Sequence, residues 1–161
     1  MTMERPQSPC IKVCTLAGGR CSGCLRTLDE IAAWGAMSAE AQWALVEALD
    51  HRRKIVSEDV VNRIKTHIAT RPAVLFMKGT PDFPQCGFSA QTVAALRANG
   101  ADFHSVNIFE DPELREALKK FSNWPTYPQL YVNGELVGGC DIVLDMHRSG
   151  ELKKILAEAG A

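Results

Sequence analysis

The chain has 161 residues, 18 Lys plus Arg against 19 Asp plus Glu, a formal net charge of -1, 46% apolar and 23% charged residues. That is the balance of a folded globular protein, and it gives no basic or acidic bias that would point to nucleic acid or an anionic membrane as a partner. No apolar run approaches the roughly 20 residues that span a bilayer, and Met1–Pro6 lacks the apolar segment of a secretory signal, so a cytoplasmic location with reduced thiols is expected.

The six cysteines divide the chain. Cys10, Cys14, Cys21 and Cys24 fall within fifteen residues, whereas Cys86 and Cys140 stand far apart. The first stretch is loop-like, punctuated by Gly18, Gly19 and Gly23. Thr27-Leu28-Asp29-Glu30 has the form of a capping box, predicting a short helix to Trp34 that Gly35 ends. Ser38 is placed to cap a second helix to about Arg52, with Ala39, Trp43, Val46 and Leu49 on one face. Two such helices bury too little for a sizeable core, so a unit of residues 1–56 is expected to need a metal staple. A boundary near His51–Lys54 precedes Ser57, which can cap the next helix.

Residues 57–161 read as helix, strand, helix, strand, helix, strand, strand, helix. Val60, Ile64, His67 and Ile68 form a helical stripe. Ala73–Met77 is a continuous apolar run of the kind that fills a central strand. Ser89–Ala98 is helical and is stopped by Asn99-Gly100. Phe103–Ile108 is a second strand. Asp111-Pro112 caps a helix that runs to Phe121. Gln129–Val132 and Glu135–Val137 flank Asn133-Gly134, a strong hairpin signal. Asp141 onward is helical. A βαβ unit followed by a hairpin and covering helices predicts an α/β fold of thioredoxin type, a central mixed sheet covered by helices, preceded by a small α-helical cysteine-rich domain.

Cys86-Gly87-Phe88-Ser89 lies between the buried strand and a helix. A sulfur at a helix N-terminus is favoured as thiolate by unpaired N–H groups, and Lys78 adds a positive charge. Ser89 stands where a second cysteine of a Cys-x-x-Cys pair would be, and a hydroxyl cannot resolve a mixed disulfide. Cys86 therefore needs an external thiol or a metal.

Three segments then point to a family. Lys78-Gly79-Thr80-Pro81-Asp82-Phe83-Pro84-Gln85-Cys86-Gly87-Phe88-Ser89, Trp124-Pro125-Thr126-Tyr127-Pro128-Gln129 and Gly138-Gly139-Cys140-Asp141 resemble the signature segments of monothiol glutaredoxins of the cluster-binding class. The resemblance covers about residues 58–158. It implies that two such domains bridge one [2Fe–2S] cluster, each giving one cysteine, here Cys86, and one glutathione thiol.

It also implies a glutathione site built from Lys78, Cys86, Gly87, Phe88, Arg115, Thr126, Tyr127, Pro128, Gly139, Cys140 and Asp141. Lys78 and Arg115 would take the glycine carboxylate, while Lys119, on the same helix face, reads better as a solvated surface residue beside Glu116. Tyr127-Pro128 matches the family's cis-proline segment, which pairs with the cysteine part of the tripeptide. The helix opened by Cys140 and Asp141 suits the γ-glutamyl carboxylate. Cys140 is either a redox partner of Cys86 or part of the loop. Trp124 and Phe88 read as packing or rim residues.

Cys10-x3-Cys14 and Cys21-x2-Cys24 form two close pairs, the spacing with which turns aim thiolates at one metal, zinc or a second iron–sulfur centre, with zinc favoured by the knuckle-like spacing. The stretch from Ser8 to Cys24 with Arg26–Ile31 resembles a small bacterial four-cysteine family of unknown function, over about residues 6–53. The four histidines, His51, His67, His104 and His147, make no paired ligand spacing in the sequence.

The expected function is that of a carrier or sensor of a labile cluster serving apo iron–sulfur proteins, as a cluster-bridged homodimer or as a heterodimer with a BolA-type protein. The alternative is a glutathione-dependent thiol–disulfide oxidoreductase, in which Cys86 attacks mixed disulfides and a second glutathione resolves.

Overall fold

The computed structural model describes residues 3–161, so of the N-terminal segment read above Met1 and Thr2 lie outside it. The chain divides into two units, Met1–Glu58 and Asp59–Ala161.

In the first unit a two-residue hairpin, β1 (Leu16–Ala17) and β2 (Arg20–Cys21), is turned by Gly18-Gly19 and delivers the third cysteine. A stretch expected to be loop thus contains a short paired ribbon, too brief for any alternation of apolar and polar residues to reveal it. Helix α1 (Leu28–Ala33) starts with the expected box: the Glu30 N–H donates to Thr27 Oγ1 (3.2 Å), and the Thr27 N–H donates to Glu30 Oε2 (2.8 Å).

Helix α2 (Ala39–Thr70) begins where Ser38 predicts, its Oγ accepting from the Ala41 N–H at 3.2 Å, but it does not stop near Arg52. It continues for 32 residues through Ser57, the residue read as the cap of a separate helix. No Gly or Pro occurs between Gly35 and Pro72, and an interior serine costs a helix only a few tenths of a kcal/mol, so nothing interrupts the ladder. The face it buries in the first unit matches the expected one only in part, at Leu49. Leu45 and Leu49 are buried, whereas Trp43 is 46% exposed with its indole N–H donating to the Glu4 carbonyl (2.8 Å).

The second unit is built on β3 (Ala73–Met77), which is buried along its whole length. It pairs in parallel with β4 (His104–Asn107), Val74 opposite His104 and Met77 opposite Asn107. On its other side it runs antiparallel to β5 (Gln129–Val132), which pairs antiparallel with β6 (Glu135–Gly138). The strand order is β4-β3-β5-β6.

Helices α3 (Gly87–Ala98), α4 (Pro112–Ser122), α5 (Cys140–Ser149) and α6 (Glu151–Ala159) complete the unit. The continuous C-terminal helix expected from Asp141 onward is in fact two, separated at Gly150. Leu75, Met77, Val93, Leu96, Leu130, Val143, Leu152 and Leu156 form one apolar cluster uniting the sheet with α3, α5 and α6. A four-stranded mixed sheet with this order and these covering helices is the thioredoxin-like fold. No helix among the described residues is long and apolar enough to cross a membrane.

Candidate functional site

The sheet sets the site by ending β3 at Met77, directly before the loop that carries the thiol. Lys78–Gln85 closes on itself. The Gln85 N–H donates to the Lys78 carbonyl (2.9 Å), and Thr80 and Phe83 exchange backbone hydrogen bonds (3.2 and 3.1 Å). Gly79 is required here: its φ is +87°, and a Cβ would lie 2.5 Å from the Phe83 carbonyl oxygen. Its N–H is held by Asn107 Oδ1 at 3.1 Å, which ties the loop to the end of β4.

The loop delivers Cys86 as the residue preceding α3, in extended conformation and half-buried. The backbone N–H of Ser89 favours its thiolate most, partial burial opposes, and the Phe88 N–H and the Lys78 charge add to the lowering, so the Cys86 pKa falls below the ordinary thiol value. Ser89 is fully buried, and its hydroxyl accepts from the Lys78 N–H at 3.2 Å. The sequence marked Ser89 only as a residue that cannot resolve a disulfide. It also fastens the end of β3 to the first turn of α3.

A cleft of about 520 Å³ is lined by Lys78, Phe88, Arg115, Lys119, Trp124, Pro125, Thr126, Tyr127, Gly139, Cys140, Asp141 and Ile142. The structure therefore brings together Lys78, Phe88, Arg115, Thr126, Tyr127, Gly139, Cys140 and Asp141. Cys86, Gly87 and Pro128 are not among the lining residues, although Lys78 lies close enough to Cys86 to act on its charge. Lys119, assigned above to the solvated surface, lines the cleft while its Nζ pairs with Glu116 at 3.1 Å. Sequence spacing placed it on the helix face of Arg115; only the packing shows which way that face turns.

Three cations and one carboxylate thus border one concavity. Arg115 lies with its guanidinium 5.5 Å from the centre of the Phe109 ring, and its carbonyl accepts from the Tyr127 hydroxyl at 2.6 Å. Burial pushes the Tyr127 hydroxyl well above its ordinary pKa, so it remains a donor. The Tyr127–Pro128 peptide is cis. Gly138 has φ +149°, and a Cβ there would sit 2.7 Å from Ile142 Cδ1, so only glycine lets β6 turn into α5. Cys140, buried at the first turn of α5, directs its thiol to Gln91 Oε1 at 3.7 Å. All six cysteines are free thiols, Cys86 and Cys140 included.

In the first unit Cys10, Cys14, Cys21 and Cys24 all line a separate cleft of about 230 Å³. Cys21 and Cys24 are buried, Cys10 and Cys14 exposed. Among the described residues no three Cys, His, Asp or Glu side chains stand close enough together to hold an ion. The histidines hold one surprise: His67 on α2 and His104 on β4 stack, with ring centroids 5.6 Å apart and Nδ1 and Nε2 separated by 3.4 Å. Burial, and then His104, lower the His67 pKa.

Comparison with known proteins agrees with this division. Residues 73–137 match the family described as Glutaredoxin, and residues 8–53 match one described as a protein of unknown function, DUF1289. Monothiol glutaredoxin-5, mitochondrial, of Saccharomyces cerevisiae is 53% identical over 112 residues, which are 68% of this chain and 75% of that protein. Monothiol glutaredoxin-S11 of Oryza sativa subsp. japonica is 49% identical over 114 residues, 71% of this chain, but the chain spans only 23% of that protein's length. Among solved structures, reduced apo GrxS14 of poplar is 48% identical with a TM-score of 0.56, covering 62% of this chain and 92% of its own. The buckwheat glutaredoxin–glutathione complex shares the fold at a TM-score of 0.60 and 24% identity, over 66% of this chain and 94% of its own.

Proposed function

The chain belongs to the monothiol glutaredoxins, and from that membership we propose that it holds glutathione in the cleft beside Cys86 and carries a [2Fe–2S] cluster to apo iron–sulfur proteins. The observation that supports this most is the charge pattern of the cleft, one of whose cations, Lys78, also acts on a thiol with no cysteine partner in its turn. Glutathione has two carboxylates and one ammonium. Lys78, Arg115 and Lys119 offer three cations, the first turn of α5 offers backbone N–H groups to a carboxylate, and Asp141 offers a counterion for the ammonium.

In this role Cys86 supplies one thiolate per chain and the bound tripeptide a second, so two chains complete the four thiolates that such a cluster takes. The residues of this chain do the preparatory work. Ser89 and Phe88 N–H groups with Lys78 lower the Cys86 pKa and so favour the thiolate, the form that ligates. Ser89, lacking a sulfur, leaves that thiolate free of an intramotif disulfide. The cargo is labile because half of its ligands belong to a small molecule that dissociates. We assign the cluster-bridged homodimer and a heterodimer with a BolA-type protein as its working states, and the cytoplasm as its compartment.

Anaerobic reconstitution with iron, sulfide and glutathione is expected to give a coloured dimer with visible absorption, and Cys86→Ser a colourless monomer. A colourless, iron-free monomer from the unmodified chain rejects the assignment.

The lowered Cys86 pKa also favours a second reading. Its thiolate would attack the glutathione sulfur of a mixed disulfide, release the substrate thiolate, and be freed by a second glutathione thiolate with formation of glutathione disulfide. Turnover of a glutathionylated peptide separates the two, being slow for a carrier and fast for a reductase.

A further inference from the structure

The first unit contains a donor set that the glutathione cleft does not use. We propose that Cys10, Cys14, Cys21 and Cys24 form a tetrathiolate site for one Zn²⁺, with Arg26 as its built-in countercharge.

Four thiols, two of them buried, line a single small cleft. Cys21 and Cys24 flank a tight turn, and Cys10 and Cys14 flank a bend at Lys12. Lys12, between Cys10 and Cys14, has φ +60°, and Leu25, directly after Cys24, has φ +62°. A left-handed non-glycine residue costs of order 1–3 kcal/mol and persists only where its surroundings demand it. At Leu25 the demand is visible: its N–H donates to the Cys21 carbonyl (2.8 Å), and the Cys21 N–H donates to the Arg26 carbonyl (2.8 Å), wrapping the Cys21–Cys24 turn closed. Gly23 packs against the bend at Lys12, since a Cβ there would meet Ile11 Cγ1 at 2.9 Å and Val13 Cβ at 3.0 Å.

Arg26 sets a buried cation against one of these sulfurs. It is 3% exposed, its Nε donates to Cys24 Sγ at 3.3 Å, and its guanidinium lies 5.2 Å from the centre of the Trp34 ring. It forms no ion pair with a carboxylate among the described residues, so a buried charge rests on sulfur. A buried cation needs an anion to offset its desolvation. Four thiolates around a divalent ion carry two excess negative charges, and an N–H donor to one of the sulfurs is the outer-shell partner such a site requires.

The energetics agree. Besides Cys21 and Cys24, the apolar side chains buried in this unit among the described residues are Leu45 and Leu49 alone. So small a core does not hold a fold of this length without a staple, and a metal bound only by the folded state supplies it. In the thiol form the Cys21 S–H is turned to the Val13 carbonyl (3.1 Å), a bond that deprotonation on metal binding releases, freeing the sulfur to face the cleft. A d10 ion with no geometric demand beyond a tetrahedron suits sulfurs delivered by one short turn and one bend.

The test uses the full chain carrying Cys86→Ser, prepared under reductant, so that metal at the glutathione cleft does not contribute. One zinc per chain is expected by elemental analysis, and Co²⁺ in its place should give tetrahedral d–d bands with sulfur-to-cobalt charge transfer. Cys14→Ser and Cys24→Ser should lose stoichiometric zinc. Because either change could also unfold the unit, Cys24→His serves as the conservative variant: it should keep one metal but alter the cobalt spectrum. Arg26→Leu should weaken zinc, measured by competition with a chelator, roughly 10–100-fold without changing the cobalt bands. Iron with acid-labile sulfide in place of zinc, no cobalt spectrum from the folded chain, or zinc retained equally by Cys14→Ser and Cys24→Ser would each overturn the assignment.

Discussion

The Cys86 pKa is lowered because of where the backbone puts the sulfur, at the N-cap of α3 and within reach of the Lys78 charge. The thiolate is favoured first by the Ser89 N–H, then by the Phe88 N–H and the Lys78 charge, against partial burial. Alkylation of Cys86 should therefore show a pH midpoint below that of a free thiol. Lys78→Ala should move the midpoint up and weaken glutathione roughly tenfold, about 1.4 kcal/mol, as read by calorimetry. An unshifted midpoint in the unmodified chain would show that the helix start does not act on the sulfur. Ser89 is the residue whose importance grows on seeing the structure, since its buried hydroxyl satisfies the Lys78 N–H that ends β3. Gly79 belongs to the same scale. With φ +87° and a carbonyl oxygen 2.5 Å from any Cβ, Gly79→Ala should destabilise the second unit by roughly 1–3 kcal/mol in denaturant titration and loosen the thiol loop.

Among the elements, α1 shows how a few side chains position a helix. Glu30 closes the capping box and also meets Arg52 of α2 in a bidentate bridge, Nη1 to Oε2 at 2.7 Å and Nη2 to Oε1 at 2.8 Å. The Arg52 hydrogen bonds, and next the Thr27 N–H, outweigh burial and hold the Glu30 carboxyl down at about 2, against an ordinary 4.5. A carboxyl depressed in the folded state stabilises fully above its unfolded value. Its contribution thus drains away as pH falls from about 4.5 to about 2. The acid transition of the first unit, followed by Trp34 and Trp43 fluorescence, should lie in that window. Glu30→Gln should cost about 2 kcal/mol at neutral pH and flatten the dependence.

The molecule as a whole is two units of different character. The second has a continuous apolar cluster joining its sheet to three helices, so it should tolerate chelators. Leu96→Ala, at a fully buried position, should cost it about 2–5 kcal/mol. The first has almost no such cluster, so chelation should lower its unfolding temperature and leave that of the second in place, two transitions separating in calorimetry where metal-loaded protein shows them closer together. A chelator that shifts neither transition would mean that the first unit stands without a staple.

Local chemistry was legible in the sequence because it depends on neighbours in the chain. The Thr27–Glu30 box, the Asp111-Pro112 helix start, the Asn133-Gly134 hairpin and the all-apolar β3 each appear where their residues place them. So do most of the residues around the cleft, since three separated segments carry them in recognisable form. What the residues do not encode locally had to wait for packing. A run of 32 residues without Gly or Pro leaves a helix free to continue past Arg52, and only tertiary contacts decide whether it does. The inward turn of Lys119, the outward turn of Trp43 and the meeting of His67 with His104 depend on which face a neighbouring element covers. So does the burial of Arg26 against a cysteine two positions away: spacing along the chain allows that contact, but only the fold removes water from around it.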